Sequence, residues 1–172
     1  MFEAPLLRRG GGAAAPSSRL ARCRLRVLVL EAGNDVANAT TKANSAILHA
    51  GYDPEPGTRM AALNVEGNRM ALDICRRLDV PVRQTGSLVL AFAPEQLPHL
   101  QTLYERGLAN GVPGLELLSG EAARALEPEL SPQVCGALHA PTAAVVDPWG
   151  FALGMFATAA QNGVDVRRSA PV

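Results

Sequence analysis

The chain predicts an α/β fold, and three features carry that prediction. Arg26–Glu31 (RVLVLE) is a short β-branched and leucine-rich run with an acidic end, followed by Gly33, the pattern of a buried parallel strand and its turn. Strand-like and helix-like segments then alternate to the end of the chain. Proline and glycine punctuate most of the boundaries between them, as at Pro81, Pro94, Gly111, Pro148 and Gly163. Together these give the order of a nucleotide-binding α/β domain that carries an inserted sheet.

Residues 1–18, read alone, are expected to be a disordered tail. Pro5 interrupts the only apolar run there, and Pro16 falls where a following helix should be under way, breaking or displacing its first turn. Asn34–Gly57 shows no sustained period of two or of 3.6 and reads as a long extended loop with one helical turn at most. A loop of that length is usually functional. Thr58 caps a helix of about five turns, with Met60, Leu63, Val65, Met70, Leu72, Ile74 and Leu78 broadly on one side, and Pro81 stops it.

Ser87–Ala93 reads as a strand, and Pro94 opens a helix that stops at Gly111. Leu115–Leu118 reads as a short strand. A helix follows from Ser119, whose capping box is incomplete because Ala122 stands where an acid would complete it. Val134–His139 and Ala143–Val146 are expected to pair across a Pro141-Thr142 turn. Asp147 caps a helix that starts at Pro148 and ends at Gly163, before a last strand at Val164–Arg167.

Composition narrows the function classes. The 172 residues are 48% hydrophobic and 19% charged, as in a globular soluble protein. Sixteen Lys and Arg balance sixteen Asp and Glu, and aromatics make up only 4%, so neither a basic field nor a stacking surface points to nucleic acid. Cys23, Cys75 and Cys135 form no CxxC pair, which points to a reducing compartment without structural zinc. His99 and His139 lack metal-ligand spacing, and no metal is expected. Pro148–Val164 falls short of the roughly 20 apolar residues a membrane span needs. Six arginines between Ala4 and Leu30, with no acid among them, mimic an organellar transit peptide.

In a dinucleotide site, glycines after the first strand let a pyrophosphate approach backbone N–H groups, and an acid ending the second strand binds ribose hydroxyls. Glu31 suits the second role, although many solvated strands also end in an acid. The first role is damaged: Arg8-Arg9-Gly10-Gly11-Gly12-Ala13 contains no GxGxxG.

From Val27 the sequence VLVLEAGNDVANATTKANSAILHAGYDPEPGT, then LNVEGN at Leu63–Asn68 and TGSLVLAF at Thr85–Phe92, resembles FAD-dependent oxidoreductases of the D-amino-acid-oxidase superfamily. Within it, the chain is most similar to the glycerol-3-phosphate and L-2-hydroxyglutarate dehydrogenase kind. The similarity runs on through Tyr104–Ser119, Leu126–Trp149 and Asn162–Arg167, and so covers residues 20–172. It implies an incomplete Rossmann-like FAD/NAD(P)-binding domain with an inserted substrate-domain sheet. Residues 1–84 would be the first part of the FAD-binding domain, 85–146 a portion of the substrate domain, and 147–172 the return to the FAD-binding domain. The segments that complete the flavin sheet and supply most substrate-binding groups would then follow residue 172.

The resemblance also implies site residues. Counting back from Glu31, the flavin fingerprint begins at Arg8, with its second glycine at Gly10 and its third at Ala13. The spacing survives while the residue types do not, which leaves a local reading-frame change, a transit peptide and an authentic degraded turn as alternatives. Thr40, Thr41, Asn44 and Ser45 match the segment that wraps the flavin diphosphate and ribityl chain, a run whose bland reading is Asx and Ser/Thr turn chemistry. His49, in the HAG of His49–Gly51, is implied to lie near the isoalloxazine ring as base, flavin hydrogen-bond partner or covalent attachment point. Gly51 permits close backbone approach. Asp147-Pro148 and Leu63–Asn68 are read as structural.

The implied activity is oxidation of a small hydroxy acid or polyol phosphate by hydride transfer to the N5 atom of FAD, with a quinone, an iron-sulfur partner or oxygen as electron acceptor. The location expected is cytoplasmic or peripheral to a membrane. An amine or amino-acid oxidase of the same superfamily is one alternative, and a non-catalytic fragment that binds no flavin is another.

Overall fold

The structure is a computed structural model that describes residues 3–7 and 14–171. The chain divides into two compact units. The first comprises the described residues up to Ala46, Ile74–Pro81 and the described residues from Val146 on. The second comprises Ile47–Asp73 and Val82–Val145.

The first unit is built on a parallel sheet of β1 (Glu3–Leu7), β2 (Arg26–Leu30) and β9 (Asp165–Arg167), in the order β1-β2-β9. Helix α1 (Ala14–Leu20) connects β1 to β2, which makes a βαβ unit, and α5 (Pro148–Gln161) leads into β9. Along β2 the side chains alternate as a strand requires, with Val27 and Val29 buried. They pack with Met155, Phe156 and Ala159 of α5 and with Val36 and Val164.

Where residues 1–18 are described, at 3–7 and 14–18, they form strand and helix rather than the expected disordered tail; residues 1–2 and 8–13 lie outside the described residues. Pro5 sits opposite Leu28 in β1, a strand that among the described residues pairs only with β2, so one of its edges has no ladder for proline to break. Pro16 is the third residue of α1, and the first four N–H groups of a helix have no intrahelical partner to lose. The helix therefore runs through it.

The second unit holds two small sheets. One has the order β3-β8-β4, from β3 (Ile47–Leu48), β8 (Ala144–Val146) and β4 (Val82–Arg83), with β3 antiparallel to β8. The other has the order β5-β7-β6, all antiparallel, from β5 (Ser87–Ala91), β7 (Gly136–Ala140) and β6 (Glu116–Ser119). Ala91, Leu138 and Ala140 form one face of this second sheet and pack with Leu100 and Leu103 of α3 (Leu97–Ala109). The other face carries Ala137, which packs with Ala123 of α4 (Gly120–Leu126).

The expected pairing of the two strands around Pro141-Thr142 is also corrected. The turn exists, with the Ala143 N–H donating to the Ala140 carbonyl at 3.2 Å. The chain changes sheet there, however, so β7 pairs with β5 and β6, whereas β8 pairs with β3 and β4.

Helix α2 (Arg59–Arg77) has the expected length but not the expected inner face. Its buried residues are Ala61, Asn68, Ala71 and Cys75, while Met60, Leu63 and Met70 are exposed. Small residues let the helix approach its neighbours closely, and Gly51 shows how closely. A Cβ built on Gly51 would stand 2.6 Å from Val65 Cγ2.

The helix starts follow local chemistry. Thr58 Oγ1 accepts from the Ala61 N–H at 3.2 Å, and Ser119 caps α4 by accepting from the Ala122 N–H. Asp147 Oδ1 accepts from the Trp149 and Gly150 N–H groups at 3.0 Å each, with Pro148 in the first turn of α5.

Candidate functional site

In the first unit the site elements meet at the C-terminal ends of the parallel strands, where ligands of open α/β sheets bind. Leu7 is level with Leu30 in the β1–β2 ladder, so Glu31 leaves the sheet beside the end of the strand that precedes the glycine-rich stretch. Glu31 is only 6% exposed. Its Oε1 accepts the Gly33 N–H at 2.8 Å, and its backbone is fixed on both sides, its N–H donating to the Arg167 carbonyl and its carbonyl accepting from the Ala170 N–H. Gly10, the fingerprint glycine kept in the sequence, lies outside the described residues.

The segment after Gly33 is a series of tight turns. Asn38 Nδ2 donates to Asn34 Oδ1 and to the Asp35 carbonyl, and Lys42 Nζ donates to Asn38 Oδ1 at 2.8 Å. Asn44 shapes the loop that carries the threonines. Its Nδ2 donates to the Thr40 and Thr41 carbonyls at 3.0 and 2.7 Å, and its Oδ1 accepts the Ala46 N–H at 2.8 Å. This is the Asx turn chemistry that short polar side chains favour. Thr40 and Ser45 are exposed and Thr41 is half-buried.

In the second unit His49 follows directly on β3 and is exposed, while Ala50 and Gly51 behind it are buried. Ile47, two residues earlier, pairs with Val145 of β8, and both are exposed. Gly51 has φ of +109°, a conformation in which a side chain is strained. Asn68 Nδ2 donates to the His49 carbonyl at 3.1 Å. Asn110 Nδ2 donates to the Gly51 and Pro54 carbonyls at 2.9 and 2.8 Å, and Arg106 Nη1 donates to the Asp53 carbonyl at 2.8 Å.

The predicted residues therefore fall in both units, Glu31, Thr40, Thr41, Asn44 and Ser45 in the first and His49 and Gly51 in the second. Sequence reasoning missed Asn68, Asn110 and Arg106. For Asn68 there was a signal, because an asparagine on the small-residue face of a long helix is a polar group that must find buried partners.

The first unit offers a carboxylate at a strand end and, on the Asn44 loop, the exposed side chains of Thr40 and Ser45, groups of a kind that can meet the hydroxyls and phosphates of a dinucleotide. A model of the FAD dependent oxidoreductases, the DAO family, matches residues 17–172. The chain belongs to this family.

Among its relatives, the glycerol 3-phosphate dehydrogenase of Caloramator mitchellensis is 43% identical over 166 residues, which is 96% of this chain and 35% of that protein. The mitochondrial L-2-hydroxyglutarate dehydrogenase of Mus musculus is 39% identical over 123 residues, 69% of this chain and 26% of that protein. The fold matches the L-alpha-glycerophosphate oxidase of Mycoplasma pneumoniae, solved dithionite-reduced with FAD bound, at a TM-score of 0.88 and 27% identity, covering 98% of this chain and 45% of that one. The chain thus spans about a third of the length of the curated relatives it matches. Among the described residues no helix is long and apolar enough to cross a membrane.

Proposed function

We propose that this chain supplies the front part of a flavin enzyme that oxidises a small hydroxy acid or polyol phosphate, of the glycerol-3-phosphate or L-2-hydroxyglutarate type. The observation that carries this reading is the 43% identity to a glycerol 3-phosphate dehydrogenase over 166 residues, 96% of this chain.

FAD, when bound, supplies the hydride acceptor at its N5 atom. Glu31 accepts hydrogen bonds from ribose hydroxyls. Thr40, Thr41 and Ser45 offer hydroxyls to the diphosphate and ribityl chain, Asn44 keeps their loop in shape, and Gly10 leaves room for phosphate. His49 is the base that takes the substrate hydroxyl proton on an imidazole nitrogen, imidazole being the side chain most often used for such a transfer. Gly51 lets the backbone come close.

The functional division that goes with this is 1–84 for the first part of the FAD-binding domain, 85–146 for a substrate-domain portion and 147–172 for the return. Residues 47–73, which pack within the second unit, belong functionally to the flavin side in this scheme. The electrons pass on to a quinone, an iron-sulfur partner or oxygen, in the cytoplasm or at a membrane surface.

A second reading, in which the chain binds no flavin, is favoured by one observation: Arg8 and Ala13 stand at two of the three fingerprint glycine positions. FAD binding by the wild-type chain separates the readings, and if it fails, Arg8→Gly with Ala13→Gly restores binding where the glycine positions are the defect and leaves it absent where they are not. The substrate assignment is tested by anaerobic addition of substrate to the FAD-loaded whole protein. Bleaching of the visible flavin band by glycerol-3-phosphate or by L-2-hydroxyglutarate supports it. Bleaching only by glycine or a D-amino acid rejects it in favour of amine oxidation.

A further inference from the structure

The Leu63–Asn68 run of α2 forms a cradle for the segment that follows β3. Asn68 is 7% exposed, and both hydrogens of its amide are committed: Nδ2 donates to the His49 carbonyl at 3.1 Å and to the Thr142 carbonyl at 3.0 Å. The same helix face presses on Gly51, whose Cβ position lies 2.6 Å from Val65 Cγ2 and 3.4 Å from Asn64 Oδ1.

The geometry points to Asn68 as a positioning residue for His49. The His49 carbonyl belongs to the peptide plane directly after His49. Holding that oxygen fixes the ψ angle of His49, and with it the direction in which the Cα–Cβ bond leaves the backbone. The second hydrogen ties the same amide to Thr142, just before β8, the strand that pairs with β3. One buried amide thereby sets the backbone on both sides of the β3–β8 ladder. Placing it there costs a desolvated polar group, a cost that is met only while both carbonyls are in reach. The inference rests on the proposed role of His49 only for its catalytic consequence. The link from Asn68 to His49 itself is independent of flavin.

The test uses the whole purified chain, first flavin-free and then FAD-loaded, as wild type, Asn68→Ala and Asn68→Ser. The protein has three histidines, and His49→Gln assigns the ring resonances of His49 in the proton NMR spectrum. Asn68→Ala is expected to move the His49 ring resonances and leave those of the exposed His99 in place. It is also expected to speed amide exchange over residues 47–54 by roughly tenfold or more, in line with the loss of a buried tether. Asn68→Ser, which keeps one donor, is expected to fall between the two and gives the answer should the alanine variant not fold. In the FAD-loaded whole protein a misplaced base is expected to lower kcat by roughly tenfold to a hundredfold with little change in KM.

Unchanged His49 resonances together with unchanged exchange over 47–54 in a folded variant would overturn the inference. If these two readouts respond but His49→Gln leaves the flavin spectrum and turnover untouched, Asn68 does position His49, and the role proposed for His49 at the flavin is the part that fails.

Discussion

Asn110 reaches from the end of α3 to hold the turn after His49, its Nδ2 lying 2.9 Å from the Gly51 carbonyl oxygen and 2.8 Å from that of Pro54. Two donated bonds to part-buried backbone are set against one cost, because among the described residues Asn110 Oδ1 is buried with no partner. Replacing Asn110 by Ala leaves two carbonyls unpaired and removes that orphan oxygen. The expected net loss is about 1–2 kcal/mol, read as a lower midpoint in urea with an unchanged slope. A gain in stability would show that the turn is held by something else.

Gly51→Ala should cost more. The position combines φ of +109° with a clash, the added Cβ falling 2.6 Å from Val65 Cγ2. Left-handed strain and overpacking each contribute, for a total of roughly 2–4 kcal/mol. Gly51→Ala with Val65→Ala removes the clash but not the strain, so the double variant is expected to recover part of the loss in a denaturation experiment.

Ala46→Gly is expected to stabilise the chain. Ala46 has φ of +62°, which costs an alanine roughly 1–2 kcal/mol, and this conformation is fixed by the Asn44 Oδ1 bond to its N–H. Glycine relieves that strain and gives back about 0.5–1 kcal/mol in chain entropy. A rise in thermal midpoint of a few degrees is the expected outcome, and a fall would show that the turn does not need the left-handed conformation.

The three cysteines should differ in reactivity. Cys23 is exposed, Cys135 is intermediate, and Cys75 is fully buried in α2, where burial pushes its thiol pKa up. Alkylation at mildly alkaline pH, followed by peptide mass spectrometry, is expected to label Cys23 first and Cys75 only on unfolding. Because the folded pKa of Cys75 is raised, its contribution to stability is intact below the ordinary thiol pKa of the unfolded chain. It declines as pH rises past that value, when the unfolded chain gains a thiolate that the folded one resists forming.

What could be read from sequence follows from what is local. The strand ending in Glu31 and the helices capped by Thr58, Ser119 and Asp147 are specified by neighbouring residues, through alternation and capping side chains. The two-residue strands β3 and β4 carry no period to detect, and they exist only through pairing with β8. The Pro141-Thr142 turn is locally correct, but its strands choose partners far along the chain, which a turn signal cannot disclose. The large apolar residues of α2 misdirected the reading of its inner face. Nothing among the described residues covers Met60 or Leu63, and close packing falls instead to Ala61, Ala71 and Cys75. At the proposed site, Glu31 and His49 stand out in the sequence as candidates, whereas Asn68 and Asn110 act through backbone carbonyls, and a sequence gives no sign of which carbonyl an amide will meet.

The measurement that bears most directly on the account is FAD binding by the purified chain, followed by flavin fluorescence during titration and by visible absorbance retained through gel filtration. Glu31, directly after β2, is the residue proposed to hold the ribose of FAD. Saturable binding by the wild-type chain, weakened roughly tenfold or more by Glu31→Ala, is the predicted result. A wild-type chain that stays colourless, or one whose affinity is indifferent to Glu31, would contradict it.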